Sequence, residues 1–267
     1  MRNLLLSVAI GDIAGMPYEF NRTKDYDAVD LLHPQNDYTD DTVMTFACAE
    51  GLLHEEDVGD CMRKRGNDDV WRGYGERFTN WLFDQKRQPP YYSYGNGSAM
   101  RVSAAGFTAM NEEMCINFAT YLASPTHNHP EGIKGAVATA LAIYYAMQGK
   151  DKEYIREYVL DEYYPEWSDL TYDMIHPTYR MDESCQGTVP PAIICFLDSK
   201  DYADCIKLAI SLGGDADTLA AIAGPIAYAY YREIPEELIA HAKSKLPQWM
   251  LDLNDEFDEY CASIVRN

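Results

Sequence analysis

The stretch Ser211-Leu212-Gly213-Gly214-Asp215-Ala216-Asp217-Thr218 runs directly into an apolar segment at residues 219–224. Two carboxylates and a hydroxyl therefore stand at the start of a predicted helix. Glycine adopts positive φ at little cost, and the free N–H groups and the dipole of a helix start favour negative charge. Helix capping alone would need one Asp or Thr, so this cluster holds more oxygen ligands than a cap requires.

A second acidic cluster, Tyr38-Thr39-Asp40-Asp41-Thr42, opens another mostly apolar predicted helix that runs to about His54. Together the clusters offer four carboxylates and two hydroxyls, the kind of all-oxygen site that Mg²⁺ and Mn²⁺ prefer. Four clustered carboxylates would repel one another strongly without a cation. If the two helix starts face each other, we expect one or two divalent cations between them, which could bind sugar hydroxyls and orient an attacking water.

Hydrophobic periodicity indicates helices throughout the chain, because almost no segment alternates with a period of two. We predict an all-α fold of about ten to twelve helices. The 267 residues, 47% of them hydrophobic, contain no Gly/Ser linker, Pro-rich spacer or solenoid repeat. The prediction is therefore a single domain over residues 1–267, an orthogonal helical bundle with a dinuclear metal site at its helix starts.

Two helices carry local predictions. A first helix over residues 2–16 should stop at Pro17, which would place Glu19 at a break between elements, although a plain surface Glu is the alternative. A helix over residues 68–84 should carry an apolar stripe that packs in the core. The stripe consists of Trp71, Tyr74, Phe78, Trp81 and Leu82.

Two irregular segments could contribute to the site. Residues 21–38 are polar and turn-rich, and we expect a loop that could cover the site as a lid. Residues 161–187 are aromatic and irregular over a length that is unusual for a structureless loop. The identity of the substrate could be read there.

The acidic balance of the chain limits its partners. With 22 basic and 43 acidic residues the net charge is −21, which should repel nucleic-acid polymers and anionic membranes over long range. A small anion could still be held by local N–H groups and a single Arg. No apolar run in the sequence is long enough to span a bilayer.

The seven cysteines are odd in number, widely spaced and without a C-x-x-C pair. This pattern is typical of reduced thiols, so we expect a cytoplasmic protein. We also expect a monomer.

A third informative stretch is Tyr94-Gly95-Asn96-Gly97-Ser98-Ala99-Met100-Arg101, which precedes another predicted helix. Its glycines and Ser98 could cradle a phosphate with bare N–H groups, and a nearby tyrosine could stack on a base. The candidate tyrosines are Tyr91, Tyr92 and Tyr94. A plain tight turn is the alternative.

Two histidines at i, i+2 spacing, His127 and His129, suggest zinc at first sight. No third His or Cys stands near them in the sequence, and the acidic clusters favour harder ions. We therefore expect a hydrogen-bonding role towards a phosphate or a sugar.

These motifs, in this order, resemble those of the ADP-ribosylglycohydrolase family over nearly the whole chain. The matching pieces are Gly11-Asp12-x-x-Gly15 with Glu19, Thr39-Asp40-Asp41-Thr42, Gly95-Asn96-Gly97-Ser98-Ala99-Met100-Arg101, Thr126-His127 and Gly213-Gly214-Asp215-Ala216-Asp217-Thr218. The resemblance implies an all-helical domain with two Mg²⁺ or Mn²⁺ ions. The implied metal ligands are Thr39, Asp40, Asp41, Asp215, Asp217 and Thr218.

The resemblance also implies how a ligand binds. The distal ribose of ADP-ribose would lie over the metal ions, the Gly-rich loop would hold the diphosphate, and His127 would contact the ligand. Glu19 and Asp41 would be catalytic, with Asp12 and Arg101 in supporting roles. The implied substrate-binding residues are Tyr94, Gly95, Asn96, Gly97, Ser98, Ala99, Met100 and His127.

The implied function is hydrolysis of the glycosidic bond between ADP-ribose and an acceptor, which reverses ADP-ribosylation. We expect ADP-ribosyl-arginine or a related N- or O-linked ADP-ribosyl group, on a protein or a small molecule, as the substrate. An ADP-ribosylated base is a further possibility. Two alternatives stay open: metal-dependent phosphohydrolysis of a nucleotide, and a non-catalytic ADP-ribose-binding or structural relative.

Overall fold

The computed structural model describes residues 1–84 and 86–264. Over these residues the only β-pairing is an isolated antiparallel bridge between Gly95 and Ser184, so the all-α prediction is confirmed. The described residues form fifteen α-helices, more than the ten to twelve predicted. Four of them are six residues or shorter, and such short helices give no clear hydrophobic period.

The helices in the first half of the chain are α1 Leu6–Glu19, α2 Asp40–Leu53, α3 Val58–Asp68, α4 Glu76–Phe83, α5 Gly97–Met100, α6 Ser103–Thr108, α7 Glu112–Ala123 and α8 Pro130–Met147. Those in the second half are α9 Lys152–Ile155, α10 Tyr172–Ile175, α11 Cys185–Asp198, α12 Tyr202–Ser211, α13 Ala216–Tyr231, α14 Glu236–Lys245 and α15 Gln248–Ser263. Short 3₁₀ segments lie at Tyr26–Ala28 and Pro165–Trp167, and a π-helical turn lies at Arg156–Asp161. In the described part of the chain, none of these helices has both the length and the hydropathy needed to cross a bilayer.

Helix α13 lies at the centre of the fold, in contact with α1, α8, α11 and α12. Its approach to α1 is especially close. A Cβ atom added at Gly11 would lie 2.3 Å from the Ala220 carbonyl oxygen, and one at Gly15 would lie 2.5 Å from the Ala216 carbonyl oxygen. The two backbones can approach this closely only because these positions lack a side chain.

Helix α1 ends later than predicted. The prediction that Pro17 stops it is wrong, because the helix continues through Pro17 to Glu19. Proline removes one N–H donor, but Tyr18 is only 7% exposed and its hydroxyl accepts a 2.8 Å hydrogen bond from the Asp30 backbone. This packing retains the last turn, so Glu19 lies at the C-terminal end of a helix rather than at a break.

The helix predicted over residues 68–84 forms only in its second half, as α4. Helix α3 ends at Asp68 and α4 begins at Glu76, and the connection contains Gly73 at φ +88°. Glycine adopts this left-handed conformation far more readily than other residues. The stripe residues within α4 are buried, whereas Trp71 in the connection is 91% exposed and does not belong to the core.

The polar segment 21–38 is fastened to the body of the protein. The Lys24 ammonium donates a 2.6 Å hydrogen bond to the Leu212 carbonyl, and the Tyr26 hydroxyl donates one of 2.6 Å to Asp204 in α12. These contacts hold the segment against α12 and the loop that precedes α13.

Buried apolar side chains between Leu4 and Cys261 form one hydrophobic cluster. The seven cysteines are buried and form no disulfide, which agrees with the prediction of reduced thiols. Several buried charged side chains lie instead at the starts of α2 and α13 and on the facing side of α1.

Candidate functional site

The starts of α2 and α13 meet, as the two acidic clusters predicted. The Thr218 hydroxyl in α13 donates a 3.3 Å hydrogen bond to Asp41 Oδ2 in α2, although the two residues are 177 positions apart. The Thr39 hydroxyl at the N-cap of α2 lies 3.4 Å from the same oxygen. Asp41 and Asp217 are only 2% and 4% exposed, so the helix starts enclose a buried acidic site.

The glycine pair before α13 shapes its start. Gly213 has φ +69°, a conformation that side chains disfavour. A Cβ atom at Gly214 would lie 2.4 Å from the Tyr179 ring, and the Tyr179 hydroxyl donates to the Gly187 carbonyl at 2.9 Å. The loop therefore turns tightly against a buried tyrosine before Asp215.

The buried carboxylates form two groups of three, and within each group the oxygen atoms lie within 4.8 Å of one another. One group is Asp12, Asp41 and Asp217, and the other is Glu19, Asp215 and Asp217. Asp217 belongs to both groups. Asp217 could therefore serve as a cation ligand in either group.

These groups fit hard divalent cations. Asp41 Oδ1 is buried and has no hydrogen-bond partner among the described residues. Burial raises the pKa of Asp41, Asp215 and Asp217, and neighbouring carboxylates raise the pKa of Asp41 and Asp217 further. A bound cation would favour the ionised forms and would supply the unpaired oxygen with a partner.

Asp12 has a different role from its neighbours. Its carboxylate accepts hydrogen bonds from the backbone N–H groups and from the hydroxyls of both Thr39 and Thr42. Four donors occupy most of the acceptor capacity of one carboxylate. We therefore assign Asp12 to positioning the start of α2, which agrees with the supporting role implied by its motif.

A cavity of about 520 Å³ opens beside the acidic site, a volume that suits a nucleotide-sized ligand. The part of its wall that we call the acidic end is formed by Glu19, Asp40, Asp41, Glu183, Asp215 and Asp217. The part that we call the basic end is formed by Arg77, Arg101, His127, Gly95 and Gly97.

Two acids at the acidic end have pKa values raised towards neutrality. Burial raises the pKa of Glu19 to about 7, and the charge of Asp215 is the next largest cause. Burial and then the charge of Asp12 raise the pKa of Asp40 to about 8. Asp40 lines the cavity but lies outside the two groups of three, so its role as a metal ligand stays a prediction.

Asn96 connects the Gly-rich loop to the acidic end. Its side-chain amide donates to Asp215 Oδ2 at 2.6 Å and to the Thr188 hydroxyl at 3.1 Å, and its backbone N–H donates to the Glu183 carbonyl at 2.7 Å. The amide is thus engaged with a predicted metal ligand. Asn96 positions Asp215 as well as lining the cavity.

Arg101 and Thr126 orient His127 at the basic end. Arg101 is 1% exposed, and its guanidinium donates to the Gly97 carbonyl at 2.7 Å and to the Thr126 hydroxyl oxygen at 2.8 Å. The Thr126 hydroxyl, which accepts from Arg101, also forms a 2.7 Å hydrogen bond with His127 Nδ1. Arg101 also faces Nδ1, at 3.5 Å.

Arg101 faces Nδ1 and can only donate, which favours the tautomer of His127 in which Nδ1 accepts and the proton lies on Nε2. Burial and then the charges of Arg101 and Arg77 lower the pKa of His127 well below its usual value, so the ring is neutral. A Cβ atom at Gly97 would lie 3.3 Å from Nε2. The Nε2–H donor therefore lies beside the Gly-rich loop.

A family model described as ADP-ribosylglycohydrolase matches residues 1–264. The chain belongs to the ADP-ribosylglycohydrolase family. ADP-ribosylhydrolase ARH3 of Homo sapiens is 30% identical over 88% of this chain and 86% of its own length. ADP-ribosylarginine hydrolase Tri1 of Pseudomonas putida (strain GB-1) is 25% identical over 97% of this chain and 79% of its own length.

A solved structure named as an ADP-ribosylglycohydrolase-related protein complex has the same fold. It superposes with a TM-score of 0.73 at 23% identity, over 97% of this chain and 96% of that chain. Membership of the ADP-ribosylglycohydrolase family supports hydrolase activity on ADP-ribosyl groups, and it agrees with acidic groups that fit divalent metal ions.

Five of the substrate-binding residues implied by the ADP-ribosylglycohydrolase motifs line the cavity, namely Gly95, Asn96, Gly97, Met100 and His127. The other three do not. Tyr94 packs its ring against His129 at 5.2 Å, the Ser98 hydroxyl donates to the Gly132 carbonyl at 2.7 Å, and Ala99 is buried in the core. Tyr91 lines the wall instead, with its ring 6.2 Å from that of His127.

The two histidines of this ADP-ribosylglycohydrolase family member have separate roles. His129 Nδ1 accepts a 3.0 Å hydrogen bond from the Glu131 backbone and caps α8. His127 lies with Arg101 and Thr126. The zinc alternative is therefore not supported.

The two irregular segments contribute little to the cavity wall. No residue of segment 21–38 lines it, so the predicted lid is not supported, and within 161–187 only Glu183 does. Sequence reasoning missed Glu183, Thr188, Arg72 and Arg77. The Gly73-Tyr74-Gly75 turn just before α4 was a usable signal for the two arginines, because it resembles the Gly95-Asn96-Gly97 turn before α5.

Proposed function

We propose that the protein hydrolyses the glycosidic bond between ADP-ribose and an acceptor, in a reaction that depends on divalent cations. The observation that carries the proposal is the meeting of Asp41 and Asp217 beside a cavity whose wall also holds arginines and a Gly-rich loop. A ligand with a ribose at one end and a diphosphate further along matches this charge distribution.

The metal ligands in this proposal are Asp41, Asp215 and Asp217, with Thr39, Thr218 and Asp40 as the further predicted ligands. Bound there, Mg²⁺ or Mn²⁺ ions would act as Lewis acids towards ribose hydroxyls and an attacking water. The chain's own contribution is to hold these oxygens in a fixed arrangement. Asp12 fixes the start of α2, and Asn96 fixes Asp215.

Glu19 is the proposed acid/base. Its carboxyl lies within 4.8 Å of carboxylate oxygens of Asp215 and Asp217. From this position it would accept a proton from the attacking water and return it to the acceptor. The water oxygen would bond to C1″ of the distal ribose. The bond from C1″ to the acceptor would break, and its electron pair would leave with the acceptor, which takes up the proton from Glu19. The negative field of the acidic end would favour the positively charged, oxocarbenium-like transition state.

The diphosphate would lie at the basic end. There the neutral His127 presents an Nε2–H donor beside Gly97, and the Tyr91 ring, which lines the same wall, would contact the adenine. We propose ADP-ribosyl-arginine as the first substrate to test, because the name of the Pseudomonas putida relative specifies that linkage. Serine-linked and nucleobase-linked ADP-ribose form the rest of the panel.

The test is the release of ADP-ribose from this panel with Mg²⁺ or Mn²⁺, by wild type and by Asp217→Asn. We expect Asp217→Asn to abolish metal-dependent release, and Asp173→Asn, an exposed substitution on α10, to leave it unchanged. Full activity of Asp217→Asn would defeat the proposal.

The products distinguish the two alternatives. AMP plus ribose phosphate would show pyrophosphate cleavage in place of glycohydrolysis. Tight ADP-ribose binding by wild type without hydrolysis of any linkage would identify a binding protein.

A further inference from the structure

Arg77 lies on the cavity wall at the basic end, in the first turn of α4. Its guanidinium donates a hydrogen bond to the Tyr91 carbonyl and lies over the Tyr91 ring, with Cζ 4.8 Å from the ring centroid. The side chain is exposed rather than buried in the core. A guanidinium has five N–H donors, so the hydrogen bond to the Tyr91 carbonyl leaves most of them available to a ligand.

The two other arginines on the wall are already engaged. Arg72 forms ion pairs with Asp37 at 3.0 Å and Asp69 at 2.8 Å. Arg101 is buried, and its two terminal nitrogens reach the Gly97 carbonyl, Thr126 and His127, while its buried Nε–H has no partner among the described residues.

Arg77 makes no ion pair with any acid in residues 1–84 and 86–264. Of the three arginines on the cavity wall, Arg72 has carboxylate partners and Arg101 is buried, so Arg77 is the exposed guanidinium left without a carboxylate partner in the described part of the chain. The electrostatic partner of Arg77 is therefore to be sought in the ligand.

The surroundings of Arg77 suit a phosphate. Tyr91, which Arg77 contacts, faces the His127 ring, and His127 lies beside Gly97 of the Gly-rich loop. The charge of Arg77 also reaches the imidazole, because it is one of the causes that lower the pKa of His127. A guanidinium, a neutral imidazole N–H and a glycine turn thus border the same part of the cavity, and each is a recognised phosphate donor.

We propose that Arg77 is a specificity-determining residue that binds a phosphate of the diphosphate and makes recognition depend on that group. The inference rests on the proposed function, since it assumes that ADP-ribose is the ligand. Arg77 contacts the anion directly, whereas Arg101 only positions the loop and His127. A riboside without phosphate gains nothing from Arg77.

The experiment measures ADP-ribose binding by calorimetry to the full chain with Mg²⁺, for wild type, Arg77→Ala and Arg77→Lys. We expect Arg77→Ala to weaken binding about 10- to 100-fold, the loss typical of charged hydrogen bonds. Arg77→Lys should fall between the two, because lysine keeps the charge and loses the planar fork. With a substrate that wild type hydrolyses, Arg77→Ala should raise KM and change kcat little.

The matched control is Arg180→Ala. Arg180 is also exposed and donates to a backbone carbonyl, that of Tyr179 at 2.7 Å, but it does not line the cavity. Arg180→Ala removes the same charge as Arg77→Ala but no residue of the cavity wall, so ADP-ribose affinity should stay unchanged. Equal losses in Arg77→Ala and Arg180→Ala would show a net-charge effect and overturn the proposal.

A second measurement separates a contact from a general weakening of the site. In this measurement AMP and adenosine are added as competitors of ADP-ribose binding. Wild type should bind AMP more tightly than adenosine, whereas Arg77→Ala should lose most of that preference. An unchanged preference in a variant with wild-type thermal stability would overturn the role of Arg77. Failure of wild type to bind ADP-ribose would overturn the proposed function instead, and inorganic phosphate binding by wild type and Arg77→Ala would then decide whether Arg77 binds phosphate.

Discussion

The Asp12 carboxylate in α1 accepts hydrogen bonds from both the backbone N–H and the hydroxyl of Thr39, at 2.9 and 2.7 Å. Thr39 is the N-cap of α2, and the same carboxylate accepts from Thr42 in the first turn. A side chain from one helix therefore satisfies the free donors at the start of another. The orientation of Asp41 follows from this contact.

Replacing Asp12 should damage stability and metal binding together. Asp12→Asn presents an amide N–H₂ to donors that need an acceptor, so we expect about 2–4 kcal/mol lower unfolding free energy. Mg²⁺ affinity should fall about 10- to 100-fold, because the start of α2 loses its support. Chemical denaturation and calorimetric Mg²⁺ titration measure the two effects.

Thr45→Val is the control for Asp12→Asn. Thr45 is buried one turn further along α2, and its hydroxyl donates to the Met100 carbonyl at 3.2 Å. The variant should lose some stability and keep its Mg²⁺ affinity. Equal Mg²⁺ affinity in wild type and Asp12→Asn would contradict the positioning role.

Thr126 should set the tautomer of His127. Thr126→Val keeps the shape and removes the hydroxyl between Arg101 and Nδ1, so the Nδ1–H and Nε2–H forms should become mixed. Thr126→Ser should restore the Nε2–H form. Side-chain ¹⁵N shifts of His127 report the tautomer, and an unchanged Nε2–H form in Thr126→Val would refute the assignment.

A methyl group at Gly11 should separate α1 from α13. Its Cβ would lie 2.3 Å from the Ala220 carbonyl oxygen, so we expect Gly11→Ala to cost about 3 kcal/mol of unfolding free energy. Gly75→Ala is the matched control, because nothing lies within 4 Å of its Cβ and φ is −58°. Its stability should change by less than about 1 kcal/mol. Equal denaturation midpoints for both variants would rule out the close contact.

The stability contribution of Glu50 should depend on pH. Burial opposes its ionisation, but hydrogen bonds from Arg65 and Lys64 outweigh burial and lower its pKa. A lowered folded-state pKa means that the stabilisation is present above the unfolded pKa and is lost as pH falls through the folded pKa. At pH 7, Glu50→Gln should cost about 2 kcal/mol, and the difference from wild type should shrink towards pH 3.

Denaturation of wild type and Glu50→Gln at a series of pH values measures this effect. Glu259→Gln, an exposed substitution on α15, should show no comparable trend. A gap between wild type and Glu50→Gln that stays constant from pH 7 to pH 3 would exclude the ion-pair explanation.

Sequence reasoning succeeded where one motif carries both structure and chemistry. The Asp41 and Asp217 clusters each combine a helix start with acidic side chains, so the pattern predicted both helix starts, and the cation between them stays a prediction. The meeting of the two starts followed from that chemistry rather than from any local propensity.

Sequence reasoning failed where distant packing decides the outcome. Pro17 is a local stop signal, yet the packing of Tyr18 retains the last helical turn. Tyr94 and Tyr91 are equivalent as residue types, and only the fold turns Tyr91 to the cavity and Tyr94 towards His129. Arg77 in the first turn of α4 and Glu183 just before α11 reach the wall from the ends of elements, where no hydrophobic periodicity indicates the direction of a side chain.

Gly11 and Gly15 have a consequence beyond packing. Asp12 and Glu19 lie on α1 and Asp217 lies on α13, the two helices that these glycines bring together. The distances between these carboxylates therefore depend on how closely the two helices approach each other. Surface connections could change in length without altering that spacing. A single added methyl at this contact would leave every carboxylate in the chain and still move Glu19 away from Asp217.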